Sequence, residues 1–280
     1  MKLVRFGEAG KERPGVLDKD GHIHDLSAHV KEINGDVLSD DSLKRLSEID
    51  PVTLPRLPDG VRLGAPVATP SKFIAIGLNY SDHAAEVGMP LPTEPIIFLK
   101  ALTSISGPND PVEKPRGSTK LDWEVELGVV IGKRAKYIEE AAAISHVAGY
   151  VLGNDVSERN FQQERQGQWT KGKSHDTFGP LGPWLVTRDE IPNPQNLKMW
   201  LDVNGERQQT GTTATMVFNV AKIVSYVSHF MTLLPGDVIV TGTPPGVGSG
   251  KKPPRFLNVG DVVTLGVDGL GTQRQQIVAA

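Results

Sequence analysis

No cysteine occurs among the 280 residues of the chain. That absence removes disulfides, thiolate nucleophiles and cysteine-ligated zinc together, and it suits a reducing compartment. Any chemistry must then run on oxygen, nitrogen or a metal ion held by them. A dominant charge is missing too: 30 Lys and Arg stand against 33 Asp and Glu, a formal net charge of −3, with no long basic run. Gripping nucleic acid or an anionic membrane takes a cationic face, so neither partner is expected and a small-molecule substrate is favoured. Long apolar runs are also lacking, far short of the roughly 20 residues of a membrane helix. The first ten residues, MKLVRFGEAG, carry charges where a signal peptide needs an apolar stretch. The expectation is a soluble, cytoplasmic protein.

What is there begins with a small opening unit. KLVRFG and PGVLDKDGHIHDLS read as short strands broken by turn residues, and SDDSLKRLSEID has a capped helical start. DPVTLPRLPDGVRLGAPVATP follows, and its five prolines forbid a regular helix or a central strand. This predicts a small N-terminal α+β domain with its Pro-rich linker over residues 1–70 and a larger domain over 71–280. In the larger part β-rich runs dominate: KFIAIGLN, PIIFLKALTSIS, WEVELGVVIG, VAGYVLGND, KMWLDVNGERQQ with a hairpin-like Asn204-Gly205, DVIVTG and DVVTLGVDG. One amphipathic helix interrupts them, with Val220, Ile223, Val224, Val227 and Met231 on one face. Strands and helices do not alternate regularly, which argues against a doubly wound parallel sheet. The predicted class is α+β, mainly β, with a mixed, rolled sheet.

Two common catalytic signatures fail. GVGSGKK is not a phosphate-binding loop, which would need glycine in place of Pro245 and a hydroxyl in place of Lys252. Neither GxSxG nor HExxH occurs, so serine-hydrolase and zincin mechanisms lose support.

In LDWEVELGVVIG the side chains alternate, so Asp122, Glu124 and Glu126 share one side of a strand and Trp123, Val125, Leu127 and Val129 the other. Adjacent carboxylates repel unless a cation lies between them, and Mg²⁺, Mn²⁺ and Ca²⁺ prefer carboxylate oxygen. For an acidic pair taken alone, a solvated strand face is the favoured reading. Asp155 shifts the balance, because it ends the apolar run HVAGYVLGND, and an acid at a buried strand end needs a partner. After it, Arg159 and Gln162 fall three apart and face one ligand if this turn is helical; an ordinary capped surface helix is the alternative. In GLNYSDHAAEVGM, His83 and Glu86 also lie three apart, a spacing at which a carboxylate orients an imidazole and raises its basicity, although surface helices produce it by chance. Gly77 and Gly88 bracket that segment, as suits a lid. Lys173, in TKGKSHDTFGPLGP, and Lys100, in IIFLKALTS, are candidates for neutralising a carboxylate or an oxyanion, or for surface snorkelling. Thr241 and Thr243 offer hydroxyl or backbone donors at a strand end, or simply form a turn.

The order of these motifs carries more than any one of them. GLNYSDHAAEVG, PIIFLK, LDWEVELGVVIG, GYVLGNDVSERNFQ, WTKGKSHDTFGPLGP and MTLLPGDVIVTGTPPGVG, in that sequence, resemble the fumarylacetoacetate hydrolase family over residues from about 72 to 278. The resemblance implies a mixed β-roll of that family's C-terminal type and a homodimer. It places the metal ligands on Glu124, Glu126 and Asp155, with Mg²⁺ the expected ion and Mn²⁺ its alternative. The catalytic residues would be His83, Glu86 and Lys173, and Arg159 and Gln162 would contact the substrate; Lys100 and Thr243 join the expected substrate contacts on their residue types and positions alone. Fumarylacetoacetases proper carry a metal-binding aspartate shortly before the histidine, whereas KFIAIGLNY has no acid, as in shorter acylpyruvase-like bacterial members. The activity implied is hydrolysis of a C–C bond in a 2,4-dioxo acid, an acylpyruvate or a 2,4-diketo-3-deoxy sugar acid such as the L-rhamnonate derivative, giving pyruvate and a second acid. Ureidoglycolate lyase, 2-oxo acid isomerase or decarboxylase, and a non-catalytic oxo-acid binder are the competing readings. The last has no use for His83 and Glu86.

Overall fold

A computed structural model describes residues 1–86 and 88–280. Its largest sheet has ten strands. Nine form a path: Ile23–Asp25, Arg13–Leu17, Lys2–Phe6, Leu185–Thr187, Val147–Asn154, Val125–Ile131, Val238–Val240, Phe73–Gly77 and Ile96–Lys100, with Leu63–Gly64 pairing off Lys2–Phe6. Pairing is antiparallel except between Val238–Val240 and Phe73–Gly77, which run parallel. A second, five-stranded sheet orders Glu206–Thr212, Lys198–Val203, Val262–Val267, Gly271–Ala279 and Val112–Lys114, the last pair parallel. The mixed, mainly β architecture agrees with the sequence. The strands of the first 70 residues are not set apart, because Lys2 and Leu3 pair with Val186 and Leu185 and so extend the large sheet.

Strand alternation divides the large sheet into two buried faces. Val125, Leu127 and Val129, with Ile74, Ile76, Leu152 and Ile239, pack into one core with Leu201, Val203, Val263 and Leu265 of the second sheet. Residues of the other parity, Phe73, Ala75, Val130, Val151, Val238 and Val240, pack instead with Leu3, Leu26, Ile33, Leu38 and Leu43 of the N-terminal segment. Both faces are therefore dry, which is why Val125–Ile131 is buried throughout.

Local chemistry sets the punctuation. The helix Asp40–Ser47 starts at Ser39, whose hydroxyl accepts from Ser42 N, and it buries Leu43 and Leu46. The helix Val220–Phe230 starts at Asn219, which accepts from Lys222 N at 2.7 Å. It buries Val220, Ile223, Val224 and Val227; Met231 lies one residue beyond its end and packs against the same core. Asn204 and Gly205 take φ of 53° and 79°, the paired positive values that a two-residue hairpin of this hand requires. No helix among the described residues is long and apolar enough to cross a membrane.

Candidate active site

The N-terminal segment covers only part of the second face of the large sheet. At the other end of that face a cavity of about 890 Å³ opens. Residues of the face's own parity or just past it, Gly77, Phe98, Glu124, Glu126 and Gly242, line it. Pairing of Val125 with Asn154, continued by Asp155 N donating to Glu124 O at 2.9 Å, holds Asp155 beside Glu124. Glu124, Glu126 and Asp155 are 6 %, 1 % and 1 % exposed, and each offers an oxygen within 4.8 Å of the others.

Three cations stand around these acids. Lys173, on the short helix Thr170–Lys173, donates to Glu124 Oε2 at 2.8 Å and Asp155 Oδ2 at 2.6 Å. Lys100 donates to Asp155 Oδ1 at 2.5 Å. Arg159 donates through Nε to Asp122 Oδ2 at 2.8 Å and through Nη1 to Gln162 Oε1 at 3.1 Å. Its Nη2 lies 2.7 Å from Glu124 Oε1, an ion pair without hydrogen-bond alignment. Asp122, fully buried, also accepts from Trp123 N, Gly248 N and Ser249 N.

The acids respond in opposite ways. Burial pushes Glu124 up, yet Lys173 and Arg159 outweigh it and lower its pKa to about 2. Glu126 is driven well above the usual carboxylate range by burial and then by the charges of Asp155 and Glu124. Gly242 N, donating to Oε2 at 2.7 Å, is its hydrogen-bond donor among the described residues. Lys173 is raised: burial opposes its charge, but Asp155 and Glu124 prevail. Lys100 is lowered, chiefly by burial, against the pull of Asp155.

Four buried carboxylates, Asp122 included, thus stand among three cations, and Glu126, which none of the three pairs with, is the acid whose charged form is penalised. A divalent cation would supply the positive charge that this surplus carboxylate lacks. The donor set is all oxygen, which suits a hard ion such as Mg²⁺ or Mn²⁺, and an oxygen already accepting one hydrogen bond keeps a lone pair for ligation.

The His–Glu pair sits on the helix Ser81–Glu86 at the cavity wall. His83 Nδ1 lies 2.9 Å from Glu86 Oε2, while Gly246 N donates to Glu86 Oε1 at 2.8 Å. Glu86 is an acceptor, which puts the ring proton on Nδ1 and leaves Nε2 as the basic nitrogen. Phe98 and Trp169, ring centroids 5.2 Å apart, add an apolar wall. Gly77 is required there, since a Cβ would stand 2.5 Å from the Trp169 ring.

Two expected substrate contacts take other places. Lys100 does not line the cavity; its side chain is fully buried behind Asp155 and holds that carboxylate. Thr243 lines the cavity, but its hydroxyl donates to Val125 O at 2.9 Å and accepts from Gln209 Nε2 at 2.8 Å, so the hydroxyl proton is taken up internally. Thr241 likewise donates to Leu127 O. Arg159, Gln162 and Lys173 all line the cavity.

Two supporting residues, Asn154 and Gln209, carry no signal in the sequence. Asn154 accepts from Glu124 N, and its amide donates to Gln275, itself buried. Gln209 bridges Val125 N, Thr243 and Pro244 O. ERQQTGT contains no apolar residue and reads as a wet strand, yet Gln209 is fully buried. Asp122 was visible only as one more acid on the strand.

Residues 72–278 match the family described as the C-terminal domain of fumarylacetoacetate (FAA) hydrolase. A Burkholderia lata protein named no more specifically than a hydrolase is 61 % identical over 276 residues, 98 % of each chain. A Mycobacterium abscessus structure described as a "probable" 2-hydroxyhepta-2,4-diene-1,7-dioate isomerase superposes with a TM-score of 0.86 at 38 % identity, covering 100 % of this chain and 99 % of that one. A maleylpyruvate hydrolase from Sphingobium sp. SYK-6, solved with manganese(II) and pyruvate, gives 0.84 at 30 % identity over 100 % of both. The chain belongs to the fumarylacetoacetate hydrolase family.

Proposed function

We propose that this protein is a divalent-metal-dependent hydrolase that cleaves a C–C bond of a 2,4-dioxo acid into pyruvate and a second acid. The observation that carries the reading is the pairing, across one cavity, of a carboxylate-backed imidazole with a buried carboxylate trio, one member of which, Glu126, has no cation partner among the described residues. The pyruvate and manganese bound to the Sphingobium relative support it from outside. An ion held by Glu124, Glu126 and Asp155 would supply Lewis-acid polarisation to the carboxylate and 2-oxo oxygens of the substrate.

The chain's own residues do the rest. His83 takes a proton from water through Nε2 while Glu86 steadies the resulting imidazolium. The water oxygen bonds to the 4-oxo carbon and the bond from that carbon to C3 breaks. C3 keeps the electron pair and receives a proton, so one acid and one pyruvate account for the substrate plus one water. Lys173 and Arg159 supply positive charge beside the developing anion. The wall formed by Phe98 and Trp169 gives one side of the cavity an apolar surface.

Isomerisation is the second reading, favoured by the name of the Mycobacterium abscessus neighbour. It uses the same imidazole to move a proton and consumes no water. A panel assay separates these: protein with Mg²⁺ or Mn²⁺ against acylpyruvates, 2,4-diketo-3-deoxy-L-rhamnonate, ureidoglycolate, oxaloacetate and a 2-hydroxy-2,4-dienedioate. Pyruvate from the dioxo acids supports the proposal. Urea from ureidoglycolate, CO₂ from oxaloacetate, or a shifted double bond without cleavage would each replace it.

A further inference from the structure

Asp122 is a fully buried acid with no place in the cleavage chemistry above, and it does not line the cavity. Its two oxygens are shared among four donors. Trp123 N and Gly248 N reach Oδ1 at 2.8 and 2.7 Å, while Ser249 N and Arg159 Nε reach Oδ2 at 2.9 and 2.8 Å. Two of the segments tied in this way carry chemistry.

The first is the helix Arg159–Gln163. With Nε fixed on Asp122 and Nη1 on Gln162 Oε1, the planar guanidinium cannot turn, and Nη2 is left buried without a hydrogen bond. Tyr150 Oη and Trp184 Nε1 share that condition among the described residues, but of the three only Arg159 lines the cavity. A buried donor held without an acceptor is costly unless a ligand brings one.

The second is the loop that follows Val238–Val240. Gly248 comes so close that a Cβ would stand 2.0 Å from Arg255 O and 2.8 Å from Asp122 Oδ1. Two residues earlier, Gly246 N holds Glu86 Oε1, the carboxylate that orients His83. The Arg159 side chain makes no hydrogen bond to this loop among the described residues, so Asp122 is their link. Counting shows why a carboxylate is needed there. An amide in its place has one oxygen, and its NH₂ would face two donors whichever way it sat.

We propose that Asp122 is a positioning residue for the reaction: it aims Arg159 Nη2 at the substrate's anionic group and fixes the loop that seats Glu86 to the same point. It touches no reacting atom. The inference rests on the proposed cleavage for the identity of that anion, while its test needs no turnover.

The test is a double-mutant cycle of Asp122→Asn, Arg159→Met and both together. Calorimetry reads the affinity of the Mn²⁺-loaded full chain for oxalate, a planar chelating dianion. Each single substitution should weaken oxalate binding by about 10- to 100-fold, the worth of a charge-assisted contact. The double variant should bind within about threefold of the weaker single variant, because a guanidinium already loose has little left to lose. A residue that merely supports the fold would give losses that multiply; that outcome, or unchanged affinity in Asp122→Asn, overturns the aiming role. Hydrogen exchange decides the loop without metal and without an Asp122 variant, so it also answers if Asp122→Asn does not fold. Arg159→Met should speed exchange of the Gly246, Gly248 and Ser249 amides by about tenfold, since Asp122 loses the cation that holds it. Unchanged exchange at all three overturns the link. If no dioxo acid is cleaved, the proposed reaction fails, and both readouts still decide the role of Asp122.

Discussion

Among the described residues, two places gather three metal-capable side chains within 4.8 Å: Asp18, Asp20 and His22 near the N-terminus, and Glu124, Glu126 and Asp155 beneath the cavity. Their surroundings differ. Asp18 sits in the turn between Arg13–Leu17 and Ile23–Asp25, where Oδ1 accepts from Asp20 N and His22 N, both at 2.9 Å. Its Oδ2 meets His22 Nδ1 at 3.2 Å and His24 Nε2 at 3.0 Å. Partial burial acts to raise Asp18, but the His24, His22 and backbone contacts overcome it and hold its pKa well below the usual range. Glu126, by contrast, is pushed up. A count of acids does not distinguish the two clusters. What does is whether the protein's own donors already satisfy them, and whether a cavity adjoins.

The sharpest way to break this comparison is to neutralise one acid in each cluster. Glu126→Gln should lower metal-dependent turnover by about a hundredfold or more and weaken Mn²⁺ binding. Asp20→Asn, on an exposed turn, should leave both unchanged. Steady-state kinetics with Mn²⁺ titration by calorimetry measures the pair. Loss of metal binding in Asp20→Asn with retention in Glu126→Gln would invert the assignment.

The next effect separates the metal from the base. His83→Ala should keep Mn²⁺ affinity and lose about 10²- to 10⁴-fold in kcat, the range for one general base. Calorimetry on the same sample is the control: if metal affinity falls in parallel, the imidazole belongs to the metal site and not to the proton transfer.

Lys100→Met sharpens the contrast from the stability side. The variant leaves Asp155 buried with one cation fewer, which costs about 3–5 kcal/mol when a buried pair loses a partner. In chelator the melting temperature should drop by many degrees. Added Mn²⁺ should restore part of the loss, since an ion at the trio replaces the missing charge. An equal drop with and without metal would mean that Lys100 only fills space.

These contrasts also mark what the sequence could reveal. LDWEVELGVVIG and HVAGYVLGND displayed the three acids because strand parity and apolar runs are local signals. The His83–Glu86 spacing was legible for the same reason, as were the helix beginning at Val220 and the Asn204-Gly205 turn. Pairing across the chain was not. Nothing in KLVRFG states that Leu3 adds to the strand containing Leu185, and nothing in ERQQTGT states that Gln209 lies dry beneath Val125. The substrate-contact role expected of the Lys100 side chain and the Thr243 hydroxyl meets the same limit, although carboxylate neutralisation is among the readings that the sequence offers for Lys100. Residue type says that an ammonium or hydroxyl is present, but only the packed structure says which partner already holds it.

The smallest effect expected belongs to the N-terminal turn. Asp18 has a folded pKa below its unfolded value of about 3.9, so the charged form stabilises the fold at neutral pH. That contribution is complete above the unfolded pKa and is lost as pH falls toward the folded one. Asp18→Asn should therefore melt a few degrees below wild type at pH 7, and the gap should narrow below about pH 4. A gap of constant size across that range would mean that the amide fails by shape, not by charge. Adding Mn²⁺ to a Glu126→Gln background completes the comparison. With the trio disabled, the melting temperature should not move, because the lone pairs of Asp18 are engaged by its own turn and by two imidazoles. A rise with Mn²⁺ that Asp18→Asn abolishes would make the turn a second metal site and remove the distinction between satisfied and surplus carboxylates.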